Sequence, residues 1–198
     1  HGANRLGGNS LAEILIFGAH AGRAAAKFSK ALSSQLRSIK VISEAHDYLN
    51  SSISKGDENV YLLKSALKEL MWDYCGVIRN EKGLIKGIEK VNELESLLPN
   101  IDVRSEFNNQ NDLVNKLDLH SSLVTARVTI LSALERKESR GAHQRSDFQK
   151  SQEAFNFNID VLMKDDTFII KRRSPKTLNQ ELINHLGQSD REEAIAKK

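Results

Sequence analysis

Apolar residues recur at intervals of three and four along three stretches of the chain. Leu63, Ala66, Leu67, Leu70, Tyr74 and Ile78 form one stripe. Leu84, Ile88, Val91, Leu94 and Leu98 form a second, ended by Pro99. Leu113, Leu117, Val124, Val128, Leu131 and Leu134 form the third and longest. Each follows the 3.6-residue period of a helix buried along one side. Short connections between them predict an antiparallel three-helix bundle. Asn80 offers an N-cap between the first two, and Asn111 or Asp112 offers one to the third. Upstream, Leu11 to about Ser34 reads as a helix of another kind. Leu11, Ile14, Leu15, Phe17, Gly18, Ala21, Gly22 and Ala25 make it apolar or small over much of its surface. Such a helix is packed on several sides, and most of that covering is missing from this chain. Residues 33–57 read as a polar connection with a helical turn or two around Ile39 to Leu49. After Phe148 the period changes to two. Phe157, Ile159 and Val161 alternate with polar residues, Lys164-Asp165-Asp166 marks a turn, and Phe168 to Lys171 returns, which predicts a small β-hairpin. Beyond Pro175 the chain is polar, with a weak helical pattern from Leu178 to Leu186.

Composition narrows the classes. Of 198 residues, 39% are hydrophobic and 28% charged, which is globular rather than disordered in type. Lys and Arg number 29 and Asp and Glu 26, and a net charge of +3 gives no argument for nucleic acid or an anionic membrane. Cys75 is the only cysteine, so no internal disulfide forms and a reducing compartment is expected. It sits among Trp72, Tyr74 and Ile78, as a buried inert thiol does. His20, His46, His120 and His185 show no metal-ligand spacing, and no phosphate loop, zinc motif or Ser-His-Asp pattern is present.

The candidate chemistry lies at the start. His1-Gly2-Ala3-Asn4-Arg5-Leu6-Gly7-Gly8-Asn9-Ser10-Leu11 is short, polar and glycine-spaced, and leads straight into the apolar helix. Glycines admit close backbone approach to a ligand. Arginine is a fork for carboxylate or phosphate. Ser10 with Glu13 reads as a capping box, so the positive end of the helix would face the loop. On these residues alone, the run is an anion or cofactor site with Arg5 as charged partner, or a loop whose arginine pairs with a structural carboxylate. Glu138-Ser139-Arg140-Gly141-Ala142-His143-Gln144-Arg145-Ser146-Asp147-Phe148 is a second unusual run. Its balanced charges predict a buried ion-pair network of Arg140, Arg145, Glu138 and Asp147 joined by His143.

These two runs, in this order and about this far apart, resemble two signatures of the succinate dehydrogenase and fumarate reductase flavoprotein family. The likeness covers residues 1 to about 148 well and the tail weakly. It implies a mainly α fold: a flavin-site loop and helix, then a three-helix, spectrin-like bundle, then a small β-hairpin and a polar tail. The implied division is a C-terminal piece of the FAD-binding domain over 1–45, a helical bundle over 46–148, and hairpin and tail over 149–198. The chain opens inside a motif without an initiator Met, and is expected to be the C-terminal portion of a longer flavoprotein. The resemblance implies FAD as cofactor. Arg5 would bind a carboxylate of the dicarboxylate substrate, and Gly8, Asn9, Ser10 and Leu11 would approach the flavin. The second run would dock the bundle onto the flavin domain. The family's proton-transferring arginine and flavin-linking histidine lie upstream, so no catalytic residue is assigned within this chain, and alone it should be inactive. Implied partners are the N-terminal FAD-binding part, the dicarboxylate and, as an option, an iron–sulfur subunit, with membrane reached only through other subunits and a cytoplasmic location. Gly18-Ala19-His20-Ala21-Gly22 stands where the family commonly has arginine, and Gln149-Lys150-Ser151 replaces its usual proline and charged run. Both departures bear on the iron–sulfur interface and not on Arg5. Met71-Trp72-Asp73-Tyr74 and Gly76-Val77-Ile78-Arg79 also resemble L-aspartate oxidase of the same superfamily, which stays open as an alternative, as does a helical interaction module without catalytic role.

Overall fold

The structure, a computed structural model, describes residues 9–33, 38–103, 111–165, 167–177 and 180–185. They group into two compact units that divide between Ser151 and Gln152.

In the first unit, α1 (Asn9–Ala31) and α2 (Ile39–Ser52) precede the bundle helices α3 (Val60–Cys75), α4 (Glu81–Leu97) and α5 (Asn111–Glu135). Asn59 starts α3, its Oδ1 accepting from the amides of Tyr61 and Leu62 at 2.9 and 3.2 Å. Asn80 starts α4 by accepting from the Gly83 amide at 2.8 Å, as its position predicts. A 3₁₀ turn at Leu98–Asn100, with Pro99 in it, ends α4. The core is Leu63, Leu67 and Leu70 of α3, Leu84 and Val91 of α4, and Leu119, Leu123, Ala126, Ile130 and Ala133 of α5.

The elements depart from the sequence reading at four places. The buried face of α5 is not the Leu113–Leu134 stripe, whose members are half-buried flanks. Two alanines, Ala126 and Ala133, let the neighbouring helices approach, and their small side chains carry little signal in a hydrophobic pattern. Ile78 lies beyond α3 and is exposed. The region read as a polar connection holds a full 14-residue helix, α2, capped by Ser38. Ser10 lies one residue inside α1, so it is not the N-cap, which needs extended backbone ahead of the helix. Asn111 is likewise already helical.

The two ends of the bundle are tied differently. At one end the α2–α3 linker pairs with the α4–α5 linker, through Glu58 and Asn100 (3.0 Å), Asp102 and Glu58 (2.9 Å), and Val103 and Ser54 (2.7 Å). Ile101 and Val103 are buried there. At the other end two short strands, β1 (Ile78–Arg79) and β2 (Gln144–Arg145), pair in parallel.

The second unit carries the hairpin. Strands β3 (Asn158–Lys164) and β4 (Thr167–Arg173) pair antiparallel from Asn158↔Arg173 to Lys164↔Thr167. Asp165 takes the positive φ of the turn. The Arg172 guanidinium lies over the Phe157 ring at 4.9 Å, and Arg173 forks onto Asp160 across the strands. A short helix, α6 (Gln180–His185), follows where the weak pattern predicts one. No helix among the described residues is long and apolar enough to cross a membrane.

Candidate functional site

Two places carry the chemistry that the sequence singles out. The first is the N-terminal turn of α1. Asn9, Ser10 and Leu11 are its first three residues, and the turn holds no acidic residue. The opening amides of a helix have no carbonyl four residues back, and they make its positive end. Asn9 and Leu11 are exposed. This donor set suits an electron-rich acceptor such as a flavin edge. Arg5 and Gly8 lie outside the described residues. Helix α1 buries none of its 23 residues; Leu11, Leu15, Phe17 and Phe28 all stand open.

The second place is the polar knot at the β1–β2 end of the bundle. Glu138 is fully buried and receives two arginines. Arg136 Nη1 donates to Oε1 at 2.8 Å, while Arg140 donates from Nε to Oε1 at 2.7 Å and from Nη2 to Oε2 at 3.1 Å. Arg145, 1% exposed, forks onto Asp147 with both bonds at 2.7 Å. Its Nη1 donates to the Ala133 carbonyl at 2.8 Å, and its guanidinium covers the Phe148 ring at 5.0 Å. Asp147 Oδ2 also accepts from the Glu81 amide at 2.8 Å, so one carboxylate serves the start of α4. Ser139 Oγ accepts from the Arg145 amide and donates to the Phe148 carbonyl, both at 2.8 Å. Gly141, with φ of 58°, makes the turn that folds the loop back.

Charge follows this geometry. The Arg145 guanidinium holds the Asp147 carboxyl well below the usual carboxylate range, with help from the Glu81 amide. Burial pushes the His143 imidazole below its ordinary value, and the neighbouring arginine charges add to the effect. Burial pushes the Cys75 thiol up, as its apolar setting predicts.

The structure thus brings together Glu138, Arg140, Arg145, Asp147 and His143, the set read from the sequence. It adds Arg136, Arg79 and Ser139, which that reading missed. Arg136 follows the last apolar turn of α5 and looks like an ordinary basic C-terminus. Arg79 had a signal, since it closes the distinctive Gly76-Val77-Ile78-Arg79 run.

A family model for the C-terminal region of the fumarate reductase flavoprotein matches residues 64–186. The chain belongs to the fumarate reductase flavoprotein C-terminal family. An uncharacterized FAD-dependent oxidoreductase of Methanocaldococcus jannaschii is 43% identical over 81% of this chain and 29% of its own length. The fumarate reductase flavoprotein subunit of Proteus vulgaris is 38% identical over 74% of this chain and 25% of its own. An L-aspartate oxidase of Yersinia pestis also matches, at 30% identity over 75% of this chain and 26% of its own. Among solved structures, the Mycobacterium smegmatis Sdh1 complex in the apo form superposes with a TM-score of 0.82 and 26% identity, over 96% of this chain and 34% of that one. The chain spans 25–29% of the length of these curated relatives. Within the family region, the knot links the ends of α3, α4 and α5, while α1 precedes the matched segment.

Proposed function

We propose that this chain completes the flavin and dicarboxylate site of a flavoprotein that interconverts succinate and fumarate, and that its bundle braces that site. The observation that carries the reading is the start of α1. Its first turn presents backbone donors at Asn9, Ser10 and Leu11 with no acidic side chain among them, directly after the run that ends Arg5-Leu6-Gly7-Gly8. Membership of the fumarate reductase flavoprotein C-terminal family supports the same reading.

Each residue then has a physical task. Arg5 forks onto one carboxylate of the substrate, which orients the reacting carbons and offsets charge that develops during transfer. Gly8 lets the backbone approach closely. Amides of Asn9, Ser10 and Leu11 favour negative charge on the ring edge they face. FAD, when bound, supplies hydride acceptance and donation. The exposed apolar faces of α1 suit burial against the dinucleotide-binding part of the same protein. An iron–sulfur subunit, and membrane reached only through further subunits, complete the proposed setting, with a cytoplasmic location.

The test uses the full-length parent with an artificial dye and succinate or L-aspartate as sole donor. Succinate-driven reduction is expected, with Arg5→Ala lowering kcat/KM by about 10²–10³. Reduction by aspartate alone, with peroxide made in air, would move the protein to the oxidase branch. Normal turnover in Arg5→Ala would leave only a bracing role.

A further inference from the structure

The geometry points to an acid-sensitive clasp at the β1–β2 end of the bundle, in which His143 holds the 139–148 loop to Arg79 only while its imidazole is neutral. This inference is independent of the flavin reading above. His143 sits half-buried between a group that can only donate and a group that can only accept. Arg79 Nη1 lies 3.0 Å from Nδ1, and the Arg136 carbonyl lies 3.1 Å from Nε2. A guanidinium has no lone pair to offer, so Nδ1 must be the acceptor. A carbonyl has no proton, so Nε2 must carry the hydrogen. Both bonds exist together in one form of the ring, the neutral Nε2–H tautomer.

Protonation puts a hydrogen on Nδ1, aimed at the Arg79 donor. The bond becomes a contact between two cations. Arg79 is not free to withdraw, because its Nε donates to the Gly76 carbonyl at 2.9 Å. Charges facing the ring from the other elements do not absorb the new one. Arg136 at the end of α5 and Arg145 of β2 are both cationic and both raise its cost. On the loop itself, Glu138 is engaged by Arg136 and Arg140, and Asp147 by Arg145. Beside the start of α4, Glu81 pairs with Lys137. The loop's remaining ties to β1 are few. The Ser146 amide donates to the Arg79 carbonyl at 2.8 Å, and Arg140 and His143 exchange backbone bonds at 2.9 and 3.0 Å. Opening should release these amides as a group.

The sign follows from linkage. The folded ring binds its proton less readily than the open one, so the open state holds more protons as pH falls below about 6.5. The closed loop is favoured above that value, and the preference is lost as pH falls toward the depressed folded value. Each pH unit in that interval should raise the open population by up to about tenfold.

The experiment is long-range ¹H–¹⁵N NMR of the imidazoles in the 198-residue chain from pH 4 to 8, paired with amide exchange. Expected are an Nε2–H tautomer for His143 at neutral pH and a midpoint below about 6.5. The amides of Arg140, His143 and Ser146 should lose protection together through that midpoint, while those of Leu123 and Ile130 keep theirs. In His143→Phe, which has nothing to titrate, the acid step at the Arg140 and Ser146 amides should vanish. An Nδ1–H tautomer, a midpoint at or above 6.5, or titration of His143 with no change in loop exchange would each overturn the clasp. So would an unchanged acid step in His143→Phe, and the wild-type titration decides the matter if that variant does not fold.

Discussion

Replacing Arg145 by methionine removes the most deeply buried cation while keeping much of its apolar stem. Three bonded contacts go with it: the two 2.7 Å bonds to Asp147 and the 2.8 Å bond to the Ala133 carbonyl. Removing one member of a buried ion pair costs about 3–5 kcal/mol, because the partner charge stays behind unpaired. Two features set the value within that range. Asp147 has a side chain 29% exposed, so its carboxylate regains some water and keeps the Glu81 amide, which lowers the cost. The Ala133 carbonyl has no such recourse, and a stranded buried acceptor costs about 1–3 kcal/mol. The expected loss is about 3 kcal/mol. Urea unfolding followed by circular dichroism would report it as a fall in midpoint at unchanged slope. The control is Lys137→Met, which breaks the Lys137–Glu81 pair, about half exposed on both sides. That change should stay within about 0.5 kcal/mol of wild type. The pair also carries a pH signature. Asp147 has its folded pKa depressed by Arg145, so its contribution is complete above the usual carboxylate value of about 3.9 and is lost as pH falls below it. In Arg145→Met this acid limb should flatten. A loss under about 1 kcal/mol, with the acid limb intact, would refute the view that the knot holds the bundle end together.

Asn80→Ala should cost about 1 kcal/mol in the same assay, since it strips the acceptor of the Gly83 amide from the start of α4; no loss would mean the cap is dispensable. Gly56→Ala should destabilise by about 1–3 kcal/mol, because an added Cβ would run into the backbone carbonyl of Asn100 where the two linkers cross; a neutral result would place that crossing further apart. Cys75 should react with a disulfide reagent at pH 7.5 at least about tenfold more slowly in the folded chain than in urea, given burial and a raised thiol pKa; equal rates would show an open thiol.

The bundle was legible because α3 and α4 bury branched, strongly apolar side chains on one side and polar ones on the other. Leu63, Leu67 and Leu70, and Leu84 and Val91, fall where their spacing predicts. Helix α5 was legible as a helix but not by face. Leucines and valines surround most of it, and the buried line runs through two alanines. Helix α2 was missed because its core contribution is slight: Ser52 is its only buried residue. The hairpin was legible from its alternation and from the Lys164-Asp165-Asp166 turn. In the knot, the balanced charges of residues 138–147 foretold paired burial. The parts contributed by Arg79 and Arg136 depend on which helix ends meet, and no local pattern encodes that. The N-terminal run was legible as chemistry from its glycines and Arg5, and the start of α1 places three of its residues on a helix end.

The β1–β2 pairing joins residues far apart in the chain: Ser146 meets Arg79 at a separation of 67 positions. The adjacent antiparallel helices α3 and α4, or α4 and α5, need only short loops to meet. Closing the clasp requires both helix pairs to be in register first. Its residues should therefore be unformed in the folding transition state, with φ-values near zero. Changes there would leave the refolding rate nearly constant and appear as faster unfolding. A fastener that closes last also opens first, so the half-life of the folded bundle, rather than how quickly it forms, is set at this end.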